Sequence, residues 1–212
     1  MISILEVGCG TGQNISHLSQ HTRWATQISE FAAVDPPLDL AHLPTHLKNV
    51  SISHKLNVYR SLDEVPKDDR FDLIISLDVL EHIEDDQNAL VKWKEKLTQD
   101  GTLLIMVPAF QSLWSYHDEV LGHCRRYTLQ SLKKIANSAG LKEERLSYLF
   151  SYLFPAAFVT RKLLPTKGKK KTALKPTWKP LNQFLCKIRK IEASIGGNSL
   201  MGTTAFGCFR NH

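Results

Sequence analysis

The chain has 212 residues, 42% of them hydrophobic and 23% charged, with a formal net charge of +6. That is ordinary for a soluble globular protein, and enough for one sizeable domain with or without a small appendage. No uncharged apolar run reaches the roughly 18 residues that a spanning helix needs. Met1 leads into strand-like sequence with no basic leader region.

Strand and helix signals alternate along the first two thirds of the chain. SILEV (3–7) is a short apolar run that ends at Gly8. QNISHLSQ (13–20) sets Ile15 and Leu18 three apart, as a helix does. FAAVD (31–35) reads as a second strand ending in an acid. Residues 36–47 read as a loop with at most a short helix, because Pro44 interrupts them, and a third strand is expected within 50–60. FDLIISLDVL (71–80) is a buried strand. DDQNALVKWKEKL (85–97) is an amphipathic helix with Leu90, Trp93 and Leu97 on one face, stopped by Asp100-Gly101. TLLIMVP (102–108) is another buried strand. TLQSLKKIANSAG (128–140) is a helix with Thr128 as its N-cap and Gly140 as its stop, and KEERLSYLF (142–150) holds a sixth strand. After a Lys- and Pro-rich stretch at 161–190, NSLMGTTAFGCFR (198–210) returns to strand-like sequence.

This alternation predicts an α/β fold with an open, largely parallel sheet covered on both faces. The expected organisation is a core over 1–150, an insertion over 151–195 and a closing strand within 196–212. Cys9, Cys124, Cys186 and Cys208 form no CxxC pair. The expectation is therefore reduced thiols in a cytoplasmic protein, with no metal site.

Charge divides the chain. Residues 1–144 carry 14 Lys and Arg against 20 Asp and Glu, a net −6; residues 145–212 carry 13 against the single acid Glu192, a net +12. A basic region on an acidic body suits an anionic partner. LSYLFSYLFPAAFVT (146–160) is uncharged and aromatic, and Arg161, Lys162 and KGKKK (167–171) follow it. Apolar sequence flanked by cations fits an anionic membrane interface, and it fits equally an ordinary helix packed on the core. Residues 146–190 are thus a candidate peripheral membrane contact, at the inner face of the membrane; Pro155 and the short length argue against a span. Nucleic acid is disfavoured, because base-stacking aromatics are sparse near the lysine cluster. The oligomeric state is not legible.

LEVGCGTGQN (5–14) poses a chemical question. A strand, a turn with Gly8, Gly10 and Gly12, a helix, and an acid (Asp35) at the end of the next strand make a nucleotide-cofactor cradle. The glycines let the turn tighten and let a ligand approach bare backbone. The third glycine comes one residue too soon for the dinucleotide pattern G-x-G-x-x-G, which disfavours a pyrophosphate ligand. No G-x-x-x-x-G-K-[ST] exists, which disfavours phosphoryl transfer.

LEVGCGTG resembles the first motif, E/D-x-G-x-G-x-G, of class I S-adenosylmethionine-dependent methyltransferases, and AAVDPP resembles their second. FDLIISLDVLEHIED, DGTLLIMVP, GHCRRYTLQSLKKIANSAGL and GGNSLMGTTAFGCFR are similar to later segments of the family's small-molecule branch. The resemblance covers the chain apart from about 151–195. It implies a Rossmann-like sheet of seven strands with the last antiparallel, and S-adenosyl-L-methionine as cofactor. By carry-over, Glu6 holds the first-motif loop or faces the methionine amino group. Gly8, Cys9, Gly10, Thr11 and Gly12 lie beneath the methionine part. Asp35, with Pro36 beside it, reaches the ribose diol. The third-strand acid is not clearly present; Leu62 and Asp63 lie nearby. Asp78, Val79 and His82 border the reacting methyl. The family also implies a helical segment ahead of the first strand, where two residues stand here.

Methyl transfer from a sulfonium needs positioning first, and a base where the nucleophile carries a proton near neutral pH. His117 and His123 suit that task. Together with Tyr127 they are the catalytic candidates, and Arg125 and Arg126 the substrate contacts. These positions, with Asp118 and Glu81, also read as loop and helix-capping residues. The expected activity is methyl transfer to a small or lipid-linked acceptor. The rival expectation is a catalytically degenerate methyltransferase-like domain that binds a membrane or a partner.

Overall fold

The computed structural model describes residues 1–20, 22–36, 56–162 and 179–212. Seven strands form one sheet: β1 (Ile2–Val7), β2 (Ile28–Val34), β3 (Leu56–Tyr59), β4 (Phe71–Leu77), β5 (Leu97–Pro108), β6 (Leu141–Leu149) and β7 (Thr204–Asn211). Their order is β3-β2-β1-β4-β5-β7-β6. Strands β1 to β5 pair in parallel, and β7 runs antiparallel between β5 and β6. The fold is the expected Rossmann-like sheet. The third strand begins at Leu56. The expected loop over 37–47, and the earlier part of 50–60, lie outside the described residues.

The strands are apolar nearly throughout because both faces are covered. Alternate residues point to opposite faces. Leu5, Val7, Ala32, Val34, Ile74, Leu103 and Ile105 share one core with Leu90 and Trp93 of α3 (Asp86–Glu95) and Leu132 and Ala136 of α5 (Leu129–Ser138). Ile4, Phe31 and Ala33 share the other with Ile15 and Leu18 of α1 (Gln13–Gln20) and Ala25 of α2 (Thr22–Ala25). Full burial of each such Leu, Ile or Phe contributes about 1.5–3 kcal/mol.

Helix ends follow local chemistry. The Asp85 carboxylate accepts the Asn88 N–H at 3.0 Å and starts α3. That helix ends sooner than expected. Lys96 is its C-cap, and Leu97, buried in the sheet, already opens β5. Asp100 (φ 62°) and Gly101 therefore sit inside an irregular stretch of β5, where the register against β4 jumps from Phe71↔Leu97 to Leu73↔Thr102. The hydroxyl of Thr128 accepts the Ser131 N–H at 3.1 Å to cap α5, and Gly140 (φ 76°) follows its C-cap Ala139.

Parallel pairing sends the C-terminal ends of β1, β2, β4 and β5 to one end of the sheet. The end of β6 and the start of β7 join them there. Three more helices gather at this end: α4 (Tyr116–Leu121), α6 (Phe154–Lys162) and α7 (Lys179–Ile195). Phe110, after β5, stacks on Tyr148 of β6 (centroids 4.6 Å apart) and meets Phe154 of α6 edge-on at 5.4 Å. Glu192, the single acid of residues 145–212, is buried and accepts the Phe150 and Ser151 N–H groups at 2.6 and 2.8 Å. That carboxylate fastens α7 to the turn after β6.

Candidate active site

In an open parallel sheet, neighbouring loops leave in opposite directions where the strand order reverses, and a crevice opens between them. Here the reversal is at β1, flanked by β2 and β4. The glycine turn follows β1. The Gly8 N–H donates to the Val34 carbonyl at 2.7 Å and the Gly12 N–H to the Cys9 carbonyl at 2.8 Å; the Ser16 N–H, bonded to the Gly12 carbonyl at 3.0 Å, then begins α1. Gly8, Gly10 and Gly12 have φ of 75°, 53° and 74°, the left-handed region that side chains resist. Gly8 is also fixed by contact: a β-carbon there would lie 2.2 Å from a Val79 methyl. The loops after β1 and β4 thus touch. At Gly10 the same β-carbon would meet nothing within 4 Å. The crown of the turn is bare backbone facing open space.

Two acids flank this crown. Asp35, at the end of β2, accepts the Gly10 N–H at 2.6 Å. Glu6 is 1% exposed; one oxygen accepts from the Asn14 amide at 2.7 Å, and the other has no hydrogen-bond partner. Burial pushes its carboxyl up to about 7 against the Asn14 bond, with the Asp35 charge adding to the rise. The Cys9 thiol is pushed up to about 12 by burial, then by Glu6 and Asp35, so it is a neutral packing group. Thr11 and Pro36 are exposed beside the turn. Leu62 is half-buried in the turn after β3 and packs on the core. Its neighbour Asp63 lies 3.9 Å from Lys92 on the surface.

After β4 the chain turns at Asp78 (φ 55°), whose N–H donates to the Met106 carbonyl at 2.9 Å. Burial raises the Asp78 carboxyl, while His123 and His82 work the other way. Glu81 is fully buried with both oxygens unpartnered, and burial pushes it up to about 8. The His82 and His123 rings meet edge to face, centroids 4.8 Å apart.

His123 comes from the segment after β5. Ser115 and Asp118 form a capping box at the start of α4; Gly122 (φ 72°) ends the helix and turns the chain back. The Cys124 N–H then reaches the Glu81 carbonyl at 2.7 Å and pins this loop to the one after β4. Asp118 is fully buried at the centre. One oxygen meets His123 Nδ1 at 2.9 Å and Arg126 Nε at 2.7 Å; the other accepts from the Ser115 N–H and hydroxyl at 2.9 and 3.1 Å. Arg161 of α6 lies 3.8 Å away and donates to the Leu113 carbonyl at 2.7 Å. Burial opposes ionisation of Asp118, but Arg126, Ser115 and His123 together hold its carboxyl below the usual range. Burial lowers His123 and outweighs the pull of Asp118. A neutral His123 facing an ionised Asp118 carries its proton on Nδ1, which leaves the Nε2 lone pair free. Nε2 lies 4.0 Å from Glu81, on the side of His82.

Other expected site residues are engaged elsewhere. Tyr127 is 2% exposed, and its hydroxyl donates to Asp86 at 2.9 Å. Its phenol is driven far up by burial and by Asp86, so it offers no proton. Arg125 bonds Asp86 at 2.7 Å and the Glu84 carbonyl at 2.6 Å. Arg126 bonds Asp118 and the Ala109 carbonyl. Tyr127, read from sequence as a catalytic candidate, and Arg126, read as a substrate contact, thus have polar groups engaged on these loops. His117 is exposed on α4. Asp118 and Glu81, which read equally as loop or capping residues, are the buried acids here.

Glu81, His82 and His123 each offer a ligand atom, all within 4.8 Å of one another. Bonds of about 2.1 Å draw a metal's ligand atoms to within about 4.2 Å, so this group would have to close up to hold an ion. The glycine turn is a better fit for a ligand: bare backbone, an acid on each side, and one buried carboxylate oxygen still unpartnered.

Residues 1–145 match the family model for a methyltransferase domain. An uncharacterized methyltransferase of Staphylococcus carnosus is 27% identical over 155 residues, 65% of this chain and 69% of that protein. A ubiquinone biosynthesis O-methyltransferase of Rickettsia bellii is 24% identical over 104 residues, 49% of this chain and 41% of that protein. The crystal structure of a Haemonchus contortus phosphoethanolamine N-methyltransferase with S-adenosyl-L-methionine superposes on 99% of this chain and 48% of that one, with a TM-score of 0.61 at 16% identity.

Proposed function

The chain belongs to the class I S-adenosylmethionine-dependent methyltransferase family, and from that premise we propose that it methylates a proton-bearing oxygen or nitrogen of a small or lipid-linked acceptor, with His123 as the base. The observation that carries this reading is the 2.9 Å contact between His123 Nδ1 and the buried Asp118. A histidine held this way has a fixed tautomer and a fixed direction for its second nitrogen.

The residues divide the work. The crown at Gly10 takes the cofactor against backbone. Asp35 supplies a carboxylate for the ribose, and Glu6, with its unpartnered oxygen, faces the amino acid end. Bound there, S-adenosylmethionine would supply a sulfonium methyl, whose carbon–sulfur bond breaks to release a neutral thioether as the acceptor takes the carbon. His123 would take the acceptor's proton on Nε2. Asp118 holds the Nδ1 proton and stabilises the imidazolium that results. Arg126 and Ser115 keep Asp118 ionised and in place. The O-methyltransferase relative supports an oxygen acceptor.

The test is transfer of labelled methyl from S-adenosylmethionine into lipid and soluble extracts, followed by kinetics on the acceptor found. His123→Ala is expected to lower kcat by about 100- to 10,000-fold, the usual worth of a positioned base. Calorimetric binding of S-adenosylhomocysteine is expected to stay intact. His117→Ala is expected to turn over normally. Wild-type rates from both variants would overturn the role of His123.

A further inference from the structure

The last helix leaves an apolar stripe uncovered. On α7, Phe184, Ile188, Ile191 and Ile195 recur at spacings of four, three and four, so they share one face. Phe184 is 59% exposed, Ile191 63% and Ile195 72%. The loop that follows continues the patch with Leu200 and Met201, 78% and 42% exposed. Helical geometry puts Lys187 on one border of the stripe and Lys190 next to it on the same flank, and both are exposed, as is Arg189. The single acid of α7, Glu192, is buried on the Phe150–Ser151 turn. The solvent side of α7 is therefore apolar and cationic. It stands at the end of the sheet that carries the glycine turn.

We infer that this face of α7 and the loop after it dock on an anionic phospholipid surface, and so bring the mouth of the crevice against the lipid. Apolar side chains of this kind enter the headgroup and acyl boundary, while lysine stems lie flat and keep their ammonium groups among the phosphates. The charge argues against a second copy of the chain as the cover. An antiparallel two-fold pairing of the stripe would bring the Lys187 flank of each copy together with no exposed acid on α7 to meet it. Among the described residues no helix is long and apolar enough to cross a membrane, so contact through α7 is peripheral. The inference rests on the placement of α7 and is independent of the role of His123.

The experiment is co-sedimentation of the full chain with vesicles of phosphatidylcholine alone, or mixed with phosphatidylglycerol, at low and high salt. Calorimetry with S-adenosylhomocysteine on each variant serves as the folding control. The wild type is expected to pellet with the anionic vesicles at low salt and to be released at high salt. Phe184→Asp/Ile191→Asp and Lys187→Glu/Lys190→Glu are each expected to cut the bound fraction at least tenfold with cofactor binding unchanged. A wild type that stays in the supernatant overturns the inference, and so do variants that pellet like it. A dimer in solution that Phe184→Asp dissolves would assign the stripe to self-association. RNA binding without vesicle binding would assign the cations elsewhere. Pelleting without cofactor binding would spare this inference and count against the proposed activity instead.

Discussion

Glu81 shows what a single residue contributes to this site. It is fully buried, and neither oxygen is hydrogen-bonded. A carboxylate in that position is costly, so burial favours the neutral acid and carries its pKa to about 8. Glu6 is raised to about 7 for the same reason. Both folded values exceed the ordinary 4.5. Their contribution to stability is therefore complete below pH 4.5 and is lost as pH rises through about 7 and 8. The Tm of the ligand-free protein is expected to fall between pH 5 and pH 9. Glu81→Gln should melt several degrees above the wild type at pH 9 and show no gain at pH 5, as read by circular dichroism. At this scale the glycine turn was legible, because Gly8, Gly10 and Gly12 are spaced for it locally. Asp118 was less so. Its capping box, Ser115 to Asp118, is written locally, but its burial depends on Arg126 and on Arg161 in a distant helix. The partners of Tyr127 and Arg126, Asp86 and Asp118, were not legible for the same reason.

Elements are held by such long-range partners too. Glu192 joins α7 to the turn after β6 through the Phe150 and Ser151 N–H groups. Removing it leaves those donors unpaired, at a cost of about 1–3 kcal/mol. Most of that cost should fall on α7 and not on the sheet. Glu192→Ala is expected to speed proteolytic cleavage within 179–195 well below the global melting temperature, with cofactor binding by the core retained; protection equal to wild type would show that α7 is held by other contacts. Helix boundaries were legible where a cap marks them, as at Thr128 and Gly140. They were misread at Asp100-Gly101, where a turn-like pair lies inside a strand. The register jump in β5 absorbs it, and only pairing with β4 reveals that.

The whole molecule depends on a strand that enters out of order. Among the described strands β7 alone pairs with β6, and it also completes β5; its Ala205 and Phe209 are fully buried. A chain ending at Ile195 is expected to lose β6 as well as β7 and to show no cooperative thermal transition; a sharp melt from that truncation would mean that the first five strands stand alone. The parallel pairing of those strands was legible from their continuous apolar runs. The place of β7 came only from likeness to the family, because an alternating strand carries no label for its neighbours. During synthesis, the end of β6 at Leu149 leaves the ribosome well before Thr204 opens β7. About fifty residues at roughly 5–20 per second make that interval several seconds. Through it the edges of β5 and β6 lack their partner, so the nascent chain presents a sticky, half-built sheet to whatever chaperone attends the exit tunnel.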